Sequence, residues 1–84
     1  MYVDLKSRMD FGEAVKLLKK GEFVTNEDWI GPEGNPFVVL QFKSVKGMSP
    51  FIAAIGYRGD CDVWFPSQRD ILQSSFFRVS QLLS

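Results

Sequence analysis

Residues 10 to 21 carry a complete set of helix signals, and that constrains how the rest of so short a chain can fold. Asp10 is an N-cap by type, and Glu13, three residues on, completes a capping box. Phe11, Ala14, Val15 and Leu18 recur at i, i+3, i+4 and i+7, which makes one apolar stripe. Lys16, Lys19 and Lys20 lie off that stripe as a solvated face, and the last two suit the negative end of the helix. Gly21 falls where a left-handed terminating residue belongs. The spacing predicts a helix over 10–20.

Beyond Gly21 the pattern turns to strands. Glu22–Thr25 is a short one, and Asn26–Gly34 is a turn region containing Trp29. Pro36–Lys43 is the strongest strand. Its residues are apolar on both alternating faces, so both faces should be covered, one of them by a partner subunit. Phe51–Tyr57 is the next, with small Ala53, Ala54 and Gly56 that let a neighbour approach closely. Asp62–Phe65 is another, followed by a turn at Pro66 and a short helix to about Gln73. Phe76–Ser80 closes the series, and Gln81–Ser84 should fray. Met1–Arg8 shows no period and reads as an extension before a single domain over 9–84. The order implies an α+β fold: a small antiparallel sheet, the N-terminal helix packed on it, and a short second helix before the last strand.

Composition narrows the functional classes. The chain has 84 residues, of which 45% are hydrophobic, with eight Phe, two Trp and two Tyr. A domain this small buries only about 60% of its unfolded surface, so self-association is expected. Ten basic and ten acidic side chains cancel, which argues against a nucleic-acid duplex as partner. No apolar run approaches the roughly 18–20 residues that span a membrane. Met1–Met9 is too polar for a signal peptide. A single cysteine, Cys61, forms no internal disulfide and fits a reducing, cytoplasmic location.

Catalytic equipment is sparse. With no histidine, the commonest general base and metal ligand are missing. Cys61 has no His to activate it and reads as a small buried hydrophobe. Asp60 and Asp62 read as a solvated pair at a turn. No metal site, cofactor site or phosphate loop is expected, and the chain is not expected to be an enzyme. Binding chemistry is better represented. Trp64, Pro66, Ser67, Gln68 and Asp70 combine a flat indole with compact polar groups at a helix start. Each also has a structural explanation: Pro66 and Ser67 start helices, Asp70 complements a helix N-terminus, and Trp64 can be core. Asn26 and Trp29 form a second set, with Trp29 either a stacking wall or an interface anchor.

Both sets, in this order, resemble a phage family, the second type of Thoeris anti-defence protein. Met9-Asp10-Phe11-Gly12-Glu13-Ala14 is similar to that family's opening helix. Trp64-Phe65-Pro66-Ser67-Gln68-Arg69-Asp70-Ile71-Leu72 is similar to its tryptophan-proline-serine-glutamine-aspartate string. The resemblance implies a homotetramer in the host bacterial cytoplasm. Its subunits would sequester a cyclic ADP-ribose isomer, or a cyclic dinucleotide, without cleaving it. By position it makes Trp29 and Trp64 stacking residues and Ser67, Gln68 and Asp70 polar contacts, with Phe11 and Gly12 shaping the pocket. The turn around Trp29 is acidic here, at Glu27 and Asp28, so phosphate contacts are expected from Arg58, Arg69, Arg78 or backbone N–H groups. The alternative is a protein-binding module that meets a host protein through Trp29 and the Phe37–Phe42 strand.

Overall fold

The computed structural model describes residues 2–80, so the expected fraying of Gln81–Ser84 lies outside the described residues. The elements are β1 (Tyr2–Met9), α1 (Phe11–Lys19), β2 (Phe23–Asn26), a 3₁₀ turn (Glu27–Trp29), β3 (Val38–Lys43), β4 (Phe51–Gly56), β5 (Cys61–Val63), α2 (Gln68–Leu72) and β6 (Phe76–Ser80). All strands join one antiparallel sheet in the order β1-β6-β2-β3-β4-β5. The helix, the sheet and the short second helix are those the sequence predicts.

The first helix is delimited by its own residues. Asp10 accepts from the Glu13 N–H at 2.8 Å, and the Glu13 carboxylate accepts from the Asp10 N–H at 3.4 Å. At the other end Gly21 has φ 90°, its N–H donates to the Leu18 carbonyl, and the Glu22 N–H donates to the Leu17 carbonyl. Those two bonds are a Schellman ending, which needs a residue at ease in the left-handed region. The apolar stripe then meets the sheet. Ala14 and Leu18 are buried with Met9, Val24, Leu40 and Phe76 in one core cluster. A second cluster on the other face holds Val3, Val39, Phe77 and Val79. The molecule is about 20 Å deep in its thinnest direction, the depth of one helix layer on one sheet.

The structure corrects three expectations. Residues 2–9 are a strand, paired with β6 at Tyr2↔Ser80, Val3↔Val79 and Asp4↔Arg78. The register then shifts before Met9↔Phe76. That irregularity puts Val3 in one cluster and Met9 in the other, which erases any period from the sequence. Cys61 is exposed rather than buried, because β5 is an edge strand that pairs with β4 alone. The chain covers both faces of β3 at its centre without a partner: Val39 and Leu40 are each buried, in opposite clusters. The close approach expected near Gly56 is made by Asp60, whose Oδ1 would lie 2.6 Å from any Cβ added there.

Two substitutions test these roles. Asp10→Ala should cost about 1 kcal/mol in urea denaturation, the usual contribution of a helix cap. Phe76→Ala should cost roughly 3–5 kcal/mol, the usual effect of truncating a buried Phe, because Phe76 is wholly buried.

Candidate functional site

An aromatic series runs from the core to the surface. Phe76, on β6, lies 5.9 Å from Phe11, the first residue of α1. Phe11 lies 6.2 Å from Trp64, which follows β5. Trp64 lies 6.0 Å from Trp29, the last residue of the 3₁₀ turn, at an interplanar angle of 86°. Each step falls in the range of favourable edge and tilted ring pairs. The structure therefore brings Phe11, Trp29 and Trp64 together from three separate segments. The two tryptophans form a corner, not a parallel slot, and both are half-buried and pack against the core cluster of Phe76, so Trp64 also has the core role that its sequence allowed. The Trp64 backbone N–H donates to the Ile52 carbonyl at 2.8 Å and extends the β4 pairing beyond β5.

The polar string after Trp64 builds the start of α2. Ser67 is the N-cap, and its hydroxyl accepts from the Asp70 N–H at 3.2 Å. The Asp70 Oδ2 in turn accepts from the Ser67 N–H at 2.8 Å and the Ser67 hydroxyl at 2.9 Å. Ser67 and Asp70 thus hold each other in a capping box. Among the described residues, the Asp70 Oδ1 makes no hydrogen bond. Pro66, half-buried, sets the turn into this cap, and Gln68 is exposed at the first helical position.

Asn26 has a different place. It is buried, its amide donates to Gln73 Oε1 at 2.7 Å, and its Oδ1 accepts from the Asp28 N–H at 2.9 Å. It ties β2 to the end of α2 behind the tryptophans. Gly12 is exposed, and a Cβ there would meet only Asp10 Oδ1, at 3.5 Å. Nothing among the described residues requires glycine at that position.

The acidic turn is compensated. Asp28 Oδ2 accepts from Arg69 and from the Gln73 amide, both at 3.1 Å. Glu27 faces Arg8 at 3.7 Å. Of the arginines expected to meet phosphate, Arg69 is held by Asp28, Arg78 pairs with Glu22 at 2.8 Å, and Arg58 bonds the Tyr57 hydroxyl at 3.0 Å. Gln73 and Asp28 are the participants that sequence reasoning missed. Their partners lie 41 to 47 residues away, beyond any local pattern. Ser75 Oγ is buried with no hydrogen-bond partner among the described residues.

Two open cavities lie elsewhere. One, of about 580 Å³, is at the β4–β5 turn between Phe37 and Arg58. The other, of about 410 Å³, lies between β1 and α1. Trp29 and Trp64 line neither. No group of three or more His, Cys, Asp or Glu among the described residues could hold a metal ion. No helix there is long and apolar enough to cross a membrane.

These features describe a small α+β domain, with an aromatic corner next to a capped helix. Residues 9–74 match the model of the Thoeris anti-defense 2-like domain, and the chain belongs to that family. Membership indicates a Thoeris anti-defence function and is consistent with a non-catalytic role. The matched span contains the whole aromatic corner and α2 but omits β6 and all of β1 except Met9. No curated protein matches the chain.

The Asn26–Gln73 contact has a testable energetic signature. Gln73→Ala strands the buried Asn26 amide and should destabilise the fold by about 1–3 kcal/mol. Thermal unfolding followed by tryptophan fluorescence would measure the loss.

Proposed function

We propose that this protein is a phage-encoded sponge. It binds cyclic ADP-ribose-type signalling nucleotides without cleaving them and so keeps a bacterial immune effector inactive in the host cytoplasm. The observation that carries this reading is the Trp29–Trp64 corner beside the capped start of α2, all inside the matched span. An indole face stacks on a base with about 1–3 kcal/mol of binding energy and little sequence demand. The exposed Gln68 amide offers both a donor and an acceptor to a ring edge. The uncommitted Asp70 Oδ1 can accept from a ribose hydroxyl. Compensation of Glu27 and Asp28 lowers the repulsion that a diphosphate would meet at this turn. Cyclic dinucleotides offer the same base, ribose and phosphate groups and form a second ligand class.

Both tryptophans are half-buried against the core, and in this reading one chain supplies only part of a pocket. Phe65 is 81% exposed and Leu72 73%, on either side of the same cap. Apolar side chains so placed favour burial against another copy. In this reading a homotetramer closes the site at its subunit interfaces. The host-protein alternative is less well supported at β3, where Val39 and Leu40 are already buried.

Calorimetric titration with a panel of cyclic ADP-ribose isomers and cyclic dinucleotides tests the proposal. A saturable signal is expected, with the nucleotide returned intact after denaturation. Gln68→Ala, at an exposed position, and Trp64→Ala should each weaken binding by about 1–3 kcal/mol, roughly 5- to 150-fold. No heat with any member well above micromolar concentration would sink the proposal and direct attention to a host-protein partner.

A further inference from the structure

Between Trp64 and Ser74 the chain runs without a single buried residue, α2 included. Ile71 is 49% exposed and Leu72 73%, and neither core cluster contains an α2 side chain. Helix α1, by contrast, buries Ala14 and Leu18. Apolar packing is what usually keeps a short helix in place, and it supplies little here. Both ends of the stretch are nevertheless pinned. The Trp64 backbone N–H is bonded to the Ile52 carbonyl, and beyond α2 the Ser74 and Ser75 carbonyls accept from Arg8 Nε and the Glu27 N–H.

What fastens α2 itself is a closed ring of hydrogen bonds. The Asn26 amide donates to Gln73 Oε1 at 2.7 Å, the Gln73 amide donates to Asp28 Oδ2 at 3.1 Å, and the Asp28 N–H donates to Asn26 Oδ1 at 2.9 Å. Each residue gives one bond and accepts one. The ring joins the C-cap of α2 to two residues at the turn that carries Trp29. Arg69 adds an ion pair to the same Asp28 oxygen at 3.1 Å, but side chains 76% and 49% exposed make it a weak, screened one. Asn26 is buried, Gln73 is half-buried and Asp28 is exposed, so solvent reaches the ring from its outer side. Water replaces such bonds when they part, which keeps their net strength modest.

We propose that residues 65–73 form a flap, pinned at Trp64 and Ser74, with the Asn26–Asp28–Gln73 ring as its catch. The flap opens while α1 and the sheet stay folded. Once the catch is released, a five-residue helix does not persist, so opening also unwinds α2. Gln68 and Asp70 move with the flap, and one opening removes both from the tryptophan corner. The proposal does not rest on the sponge reading.

Amide hydrogen exchange of the full chain, resolved by residue with NMR, tests it. The Ile71 and Gln73 amides, bonded to the Ser67 and Asp70 carbonyls, report on the flap. In the parent they should be protected, yet exchange about 100-fold faster than the amides of α1 and β6 after correction for intrinsic rates. Asp28→Ala should accelerate them roughly tenfold more while α1 and β6 change less than about threefold. Asp28→Asn keeps an acceptor for the Gln73 amide and should restore most of the protection. Equal protection of α2 and β6 in the parent overturns the flap, and so does the absence of any protection in α2. Unchanged α2 exchange in Asp28→Ala overturns the ring as the catch. Uniform acceleration of every element overturns it too, because Asp28 would then support the whole fold. An Asp28→Asn variant as fast as Asp28→Ala would assign the hold to the Arg69 ion pair and overturn the ring.

Discussion

The burial of Phe76 fixes the geometry of the site. β6 lies between β1 and β2, and Phe76 sits in the core at its start. Its ring supports Phe11, Phe11 supports Trp64, and Trp64 meets Trp29 edge-on. The surface corner is therefore the outer end of a packed series whose inner end is fully buried. An indole that lacked such backing would lose rotamer entropy on binding. Here that ordering has already occurred during folding.

Polar contacts do for α2 what ring packing does for the tryptophans. A five-residue helix has too few internal bonds to persist alone. The Ser67–Asp70 box closes its beginning, while Asn26, Asp28 and Gln73 fasten its end to β2 and the 3₁₀ turn. Arg69 completes the set by neutralising Asp28. Several residues that look like recognition groups in a linear reading thus also serve as local architecture. Ser67 and Asn26 are the clearest cases. Gln68 is exposed, and the outer oxygen of Asp70 makes no hydrogen bond among the described residues.

The sequence was most legible where the signals are local. The Asp10–Glu13 box, the four-residue stripe and Gly21 delimit α1, and the runs of apolar residues mark β3 and β4. β1 was hidden because its register shifts between Asp4 and Met9, sending its apolar residues to opposite faces. The exposure of Cys61 depends on β5 being an edge, which is a fact of topology and not of composition. The approach of Trp29 to Trp64 was legible only as the co-occurrence of two motifs. Their angle, and the role of Gln73, arise from tertiary contacts with no local trace.

Sheet order also bears on the timing of assembly. β3, β4 and β5 succeed one another along the chain and pair across short connections, so loop closure opposes their formation only weakly. β1 has no partner except β6, and β2 has one open edge until β6 arrives. Contacts between such distant segments slow folding. The meander can form while α1 still lacks the Phe76 floor beneath it. The aromatic corner gains its full backing only once residues 76–80 have slotted between β1 and β2.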